Sequence, residues 1–405
     1  MKLSKTLITL CLVTAYGSGA SAQSAALIDL MNQAAEASPA VQIANLDIVR
    51  SEASADRLRA NPYDYQVTAG VGQRFIDDPL ATENRYTEFG AGVSRTIRLP
   101  NKRDIDAQLA DLEIRLAALT IESAKFEERK TFIALWNVWM QADQMAVISA
   151  AQADKAKELA ALEQTKVDEG AGRQIDADLS LAEAEMARLE ANGDALNEQA
   201  AKLNISSRYP ALDLPDSPSV TSTFGPNEPM SPAIDWAATP NYQLSILKAS
   251  QLRLQAERQS LYKRPDPTLG LDITDEFGGR ETSVVATISI PIGGRAKKAA
   301  SQETFAYANM AEVEAKLSLE VSKREFERAV QDARLNRTAL ASALKAKNAS
   351  LTALERLEAG YKIGDVTLPD LLKAGRSYGE AEQIYARYLG KSQAAQLLLA
   401  VYQTP

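Results

Sequence analysis

The chain has 405 residues, 45 of them basic and 53 acidic, with no histidine and a single cysteine. At 45% hydrophobic and 24% charged residues it reads as a folded protein and not as a polytopic helical membrane protein. Its formal charge of −8 argues against nucleic-acid binding, which needs a basic face. The missing histidine removes Ser-His-Asp triads, Cys-His pairs and histidine metal ligands.

The first residues have three parts. Lys2 and Lys5 make a basic start, Leu7–Ala15 is an apolar run too short to span a bilayer, and Ala20-Ser21-Ala22 is a small-residue cleavage site. A signal peptide is therefore expected over residues 1–22, with the mature chain starting at Gln23. Cys11 lies inside the apolar run and follows Leu10, where lipid attachment needs a small residue. Without the signal, 43 basic and 53 acidic residues remain, a formal charge of −10. Such an exported protein is periplasmic, secreted, or in the outer membrane as strands.

Residues 25–60 predict a helix. Over 63–75 the residues alternate, with Tyr65, Val67, Ala69 and Val71 on one face and Gln66, Thr68, Gly70, Gly72 and Arg74 on the other. After a polar loop, 86–98 alternate again, with Phe89, Ala91, Val93 and Ile97 against Glu88, Gly90, Gly92, Ser94 and Thr96. From Asn101 the spacing changes. Ile105, Leu109, Leu112, Leu116 and Leu119, then Phe126 and Ile133, form a heptad seam in a helix over 101–169, about 100 Å long. Gly170 and Gly172 break it, and 174–206 are helical again. Six prolines between 207 and 238 rule out a regular helix and predict an irregular connector.

The order then recurs over 239–405. A helix leads to strands over 267–291 around "DEFGGR", then to a long helix over 296–361 and a last helix over 366–402. Pro100 and Pro291 are 191 residues apart, and Gly172–Gly364 and Asp178–Asp370 are 192 apart. These offsets predict an internal duplication of residues 23–206, each half carrying helix, hairpin, long helix, turn and helix.

Four strands cannot close around a channel, and their edges need partners. Three chains would supply twelve strands and a closed barrel. Tyr65, Val67, Val71 and Phe89 would then face lipid, and Tyr63, Tyr65, Phe75 and Tyr86, near the strand ends, would supply interface girdles. A soluble antiparallel sheet over a helix alternates in the same way. The long helices favour the barrel. They would leave it as a helical cylinder in which the shorter helices stack end to end. The expected fold is mainly α with a small β part.

The export signal, the duplicated hairpin and long helices, and a glycine turn followed by "DLLKA" resemble the TolC family of outer-membrane efflux channels. The resemblance covers essentially the whole mature chain. "RLPNKRDID" looks most like the branch serving cobalt-zinc-cadmium and copper-silver export. The family implies a homotrimer in the outer membrane, extending into the periplasm and meeting a periplasmic adaptor (membrane-fusion) protein and an inner-membrane pump, most readily of the RND type. It also implies a periplasmic gate in which a tyrosine of the second repeat contacts an aspartate of the first. Here these match Tyr361 and Asp178, with Asp370 in an aperture ring. Val366 stands where an arginine is common, and Lys373 where a second ring acid occurs. The adaptor would meet the tips, Gly170, Gly172 and Arg173 on one side and Ile363, Gly364 and Asp365 on the other. Read without the family, Asp178 and Asp370 are acids near helix starts, which complement the helix dipole, and Tyr361 is a seam residue. Gly172 and Gly364 are expected to take positive φ.

There is no P-loop, and "GAGRQI" lacks the last glycine of a dinucleotide fingerprint. No enzyme activity, no cofactor and no metal site are expected. Two other readings stay open. One keeps the fold for drug efflux or type I protein secretion; the other is a soluble periplasmic coiled-coil scaffold.

Overall fold

The computed structural model of the chain describes residues 16–60, 62–75, 77, 85–218, 234–292 and 294–403. In chain order these form α1 (Tyr16–Ala37), α2 (Pro39–Arg59), β1 (Tyr65–Phe75), β2 (Arg85–Thr96), α3 (Pro100–Asp168), α4 (Gln174–Arg208), α5 (Pro240–Ser260), β3 (Thr268–Glu276), β4 (Glu281–Ser289), α6 (Arg295–Ile363) and α7 (Leu368–Gln403). Short 3₁₀ turns cover Trp236–Ala238 and Leu261–Lys263. Residues 1–15 of the expected signal lie outside the described residues. The backbone is helical from Tyr16 through Ala20-Ser21-Ala22. Within the proline-rich connector, 219–233 also lie outside them.

Residues 25–60 were expected to form one helix and form two. Ser38 ends α1, and its Oγ accepts the Val41 N–H at 3.2 Å. Pro39 then occupies the first helical position, where its missing N–H costs nothing. Pro240 opens α5 in the same way.

The chain divides into two compact units, and α3 and α6 contribute to both. One unit holds Ile43–Ile121 and Pro240–Glu320. Its strands form one antiparallel sheet in the order β1-β2-β3-β4. Val71 lies opposite Phe89, Ala91 opposite Ile273, and Ile273 opposite Val284, so the apolar positions of all four strands share a face. On the other face Gly70 and Gly72 meet Gly90 and Glu88, and the Asp272 carboxylate lies over Gly92.

A buried ionic cluster ties this sheet to its helices. Asp266, just before β3, accepts from Lys102 Nζ at 3.0 Å, Arg98 Nη1 at 3.2 Å, the Tyr63 hydroxyl at 2.8 Å and the Leu99 N–H at 3.1 Å. Asp106 of α3 takes Arg98 Nε at 2.8 Å and pairs with Arg258 of α5. Arg98, Lys102, Asp106 and Asp266 are all buried.

The other unit holds Met1–Gln42, Glu122–Thr239 and Val321–Pro405. Its core is aromatic. Phe132, Trp136 and Trp139 of α3 pack with Tyr209, and Phe326 of α6 meets Tyr402 of α7 edge-on at 5.4 Å. The Tyr209 hydroxyl donates to buried Glu128 at 2.9 Å, which keeps that carboxylate partnered.

Candidate functional site

The turns between the paired helices are built alike. After α3, the Gly170 N–H reaches Val167 O at 2.9 Å and the Ala171 N–H reaches Lys166 O at 2.8 Å. After α6, Gly364 N–H reaches Tyr361 O at 3.2 Å and Asp365 N–H reaches Gly360 O at 3.0 Å. Both are Schellman closures, with Gly170 at φ +74° and Gly364 at φ +84°. The left-handed position of the first turn is thus Gly170 and not Gly172. Gly172 is required for a different reason: a Cβ there would lie 2.8 Å from the Val167 nitrogen.

The two left-handed glycines are 194 residues apart, not 192. At that offset Asp370, third residue of α7, corresponds to Asp176, third residue of α4, and not to Asp178. Gly170→Ala and Gly364→Ala should each destabilise by about 1–2 kcal/mol through left-handed backbone strain. Gly193→Ala, inside α4 with open space at its Cβ, should instead stabilise by roughly 0.5–1 kcal/mol. Thermal unfolding of the purified protein measures all three.

Within the chain Tyr361 does not meet Asp178. Its hydroxyl accepts from Lys166 Nζ at 3.3 Å, and the same ammonium sits 4.5 Å from the ring centre. Lys166 also reaches Glu163 at 2.7 Å, a carboxylate only 3% exposed. The last turns of α3 and α6 lie side by side here. Asp178 lies beyond the turn on α4, exposed, and accepts from Gln174 at 2.9 Å. Arg173 of the first tip forms a two-pronged pair with Asp176 at 2.7 and 2.8 Å.

Asp370 helps to cap α7. Thr367 Oγ1 donates to its carboxylate at 2.6 Å and accepts its N–H at 3.4 Å, so Thr367 caps α7 with Asp370 holding its hydroxyl. Asp365, Asp370 and exposed Lys373 open onto one shallow groove, and Ile363 is exposed at the tip. Val366 is half-buried and packs over Gly360, which leaves no room for a side chain at position 360. Its Cγ2 lies 2.6 Å from where a Gly360 Cβ would be.

The Tyr361 phenol is pushed up by burial and by the nearby Glu163 carboxylate, against the opposing pull of Lys166. Burial would lower the Lys166 ammonium, but its bonds to Glu163 and Tyr361 outweigh that and raise it. Both titrations therefore move away from neutrality, and the chain has no histidine to titrate between about pH 5 and 8.

On the sheet, Tyr65, Val67, Val71, Phe75 and Phe89 are all well exposed, Val67 to 79%. Tyr86 departs from the expected girdle. It lies opposite Arg74 on the polar face, is buried, and packs edge-on against Phe277 at 5.5 Å. Arg74 holds Glu88 at 2.6 Å and Glu276 at 2.8 Å beside it. The period of two carried the signal: Tyr86 has the parity of Glu88 and not of Phe89.

Sequence reasoning also missed Glu163, Lys166 and Asp176, and the clamp formed by Arg98, Lys102, Asp106 and Asp266. "RLPNKRDID" placed charges directly after a strand, the one sign that some of them must be buried with partners.

No family model matches the sequence, and no curated protein sequence matches it. Solved structures do match its fold. The Campylobacter jejuni CmeC outer membrane channel superposes with a TM-score of 0.77 at 14% identity, over 93% of this chain and 85% of that one. The outer membrane protein VceC of Vibrio cholerae gives 0.73 at 14% identity, over 93% and 96%. The open state of the Neisseria gonorrhoeae MtrE outer membrane channel gives 0.72 at 15% identity, over 95% and 89%. The chain therefore has the fold of these outer-membrane channels, the one its resemblance to the TolC family implied.

Proposed function

We propose that the protein is the outer-membrane exit duct of a tripartite efflux pump, a homotrimer working with a periplasmic adaptor and an inner-membrane pump. The observation that carries this reading is the sheet. One face is apolar and exposed across four strands, the other is glycine, threonine and paired charge, and β1 and β4 each keep one unpaired edge. Edges of this kind need a partner strand, and three copies would close them into twelve strands. Among the described residues no helix is long and apolar enough to cross a membrane.

Cargo would pass by size and charge. The chain has no histidine, and its one cysteine lies in the expected signal. Small solutes, heavy-metal cations among them, fit such a duct. Single-channel recording in planar bilayers tests the reading. Discrete conductance steps are expected, and protein that inserts without conducting would overturn it.

The tip contacts are the gate in this proposal. Lys166 to Tyr361 is a charge-assisted bond, discounted for partial exposure to about 1 kcal/mol per copy. Tyr361→Phe combined with Lys166→Gln should then raise the open-to-closed ratio roughly fivefold per copy. Asp178→Ala should leave it near the parent value. An unchanged ratio in the double variant would reduce the contact to helix packing.

A further inference from the structure

The sheet has a second charged feature, at the end where its strands run into the helices. Thr96 lies opposite Thr268, and Thr268 opposite Ser289, so the segments around 97–103, 263–267, 290–292 and 294–298 emerge at one level. Arg103, Lys263, Arg264, Arg295, Lys297 and Lys298 occupy those segments, all exposed except half-buried Lys297. None of their side chains forms an ion pair or hydrogen bond among the described residues, whereas Arg50 and Arg59 on α2 are paired with acids. Asp64 and Asp104 are the exposed acids at the same level. A cationic rim thus stands on a chain whose net charge is −8.

Helix electrostatics sharpen the point. α3 and α6 begin here, and neither has an acid in its first turn. Cations at a helix start oppose the dipole, so local helix stability does not account for them. Directly before them come exposed apolar side chains, Ile290 at 59% and Ile292 at 95% exposure, continuous with the apolar sheet face. An apolar surface ending in long, unpaired cations is what a membrane interface selects, with aliphatic stems in the acyl region and charges at the headgroups.

We infer that this rim binds anionic phospholipid headgroups of the leaflet on the helix side of the sheet. The inference rests on the proposed barrel. The cations set the height of the sheet in the bilayer and enrich acidic lipid around it. Each basic residue near an anionic surface adds roughly a fivefold preference, which screening by salt removes.

The test reconstitutes the full protein in nanodiscs of equimolar phosphatidylcholine and phosphatidylglycerol, then counts retained lipids by native mass spectrometry. The parent protein should retain phosphatidylglycerol over phosphatidylcholine by about fivefold or more at low salt, falling toward parity at high salt. Arg264→Gln/Arg295→Gln/Lys297→Gln/Lys298→Gln should lose most of that preference, with Arg103 and Lys263 retaining a remainder, and Lys297→Gln/Lys298→Gln alone should lose a smaller part of it. Parity in the parent, or an unchanged preference in the fourfold variant, overturns the inference. So does loss of the preference in inorganic phosphate but not in chloride of equal ionic strength, which would mean a site for free phosphate. Conductance recorded on the same preparations separates the two failures. A conducting parent without lipid preference refutes only the rim, whereas a parent that neither inserts nor conducts refutes the duct.

Discussion

Asp266→Ala should be among the most damaging single substitutions in the sheet-bearing unit, costing about 3–5 kcal/mol. The side chain is 2% exposed and accepts four bonds, from Lys102, Arg98, Tyr63 and the Leu99 N–H. Removing it leaves Lys102 without a counter-charge in a buried site, and desolvation of that ammonium dominates the loss. Asp266→Ala/Lys102→Met should recover a substantial part, because it removes the orphaned charge together with its partner. Burial alone would raise the Asp266 carboxyl, but Lys102, the Leu99 N–H and Tyr63 outweigh it and hold it below the ordinary 3.8. A lowered carboxylate stabilises fully above the unfolded value and loses that contribution as pH falls through the folded one. The gap between parent and Asp266→Ala should accordingly shrink in acid. Apparent melting temperature and protease resistance in detergent, measured at neutral and acidic pH, check both statements. A parent-like melting temperature for Asp266→Ala would mean that the cluster merely fills space.

Much of the architecture was legible because the hydrophobic period changes cleanly. Alternation over 63–75 and 86–98 gave the strands, which form over 65–75 and 85–96, and the seam from Ile105 through Ile133 gave a helix expected to reach 169, which runs unbroken to Asp168. Leu109, Leu112, Phe126 and Ile133 of that seam are buried. The misses have local causes. Ser38-Pro39 fell inside a single expected helix over 25–60, and the bond from Val41 to Ser38 Oγ makes it a cap between two helices. At the tips two glycines lay within three residues, and periodicity cannot say which one carries positive φ. Pairing Gly172 with Gly364 gave an offset of 192, which also relates Asp178 to Asp370, whereas the left-handed glycines are 194 apart, the spacing of Asp176 from Asp370. Lys166 and Glu163 were illegible for another reason. On a charged helix face, residues three apart look like any solvated pair until a second helix brings Tyr361 against them.

Those tip contacts limit how the proposed gate can be driven. Phenol and ammonium both titrate away from neutrality, and no histidine is present. A modest change of pH therefore offers this tip little leverage, whereas a partner that separates the ends of α3 and α6 would break Lys166 from Tyr361 directly. Schellman turns closed by single left-handed glycines keep the tips short and exposed, which suits contact with such a partner.

The sheet allows the sharpest choice between a membrane barrel and a soluble scaffold. Ile273 lies in β3, opposite Ala91 on one side and Val284 on the other, in the middle of the apolar face. It is 48% exposed in the single chain. In a soluble scaffold Ile273→Arg would be a surface change worth roughly 0.5 kcal/mol or less. In a lipid-facing strand it puts a guanidinium near mid-bilayer, at a cost of about 2–4 kcal/mol. The neighbouring Thr274 lies opposite Gly90 and Ser283 on the polar face. Thr274→Arg should insert normally and change conductance or ion preference instead, because it projects toward water in the barrel. Folding yield into phosphatidylcholine vesicles, scored by protease protection, should thus fall for Ile273→Arg and hold for Thr274→Arg. Equal yields would remove the barrel, since the contrast between adjacent residues depends only on which face of the sheet meets lipid.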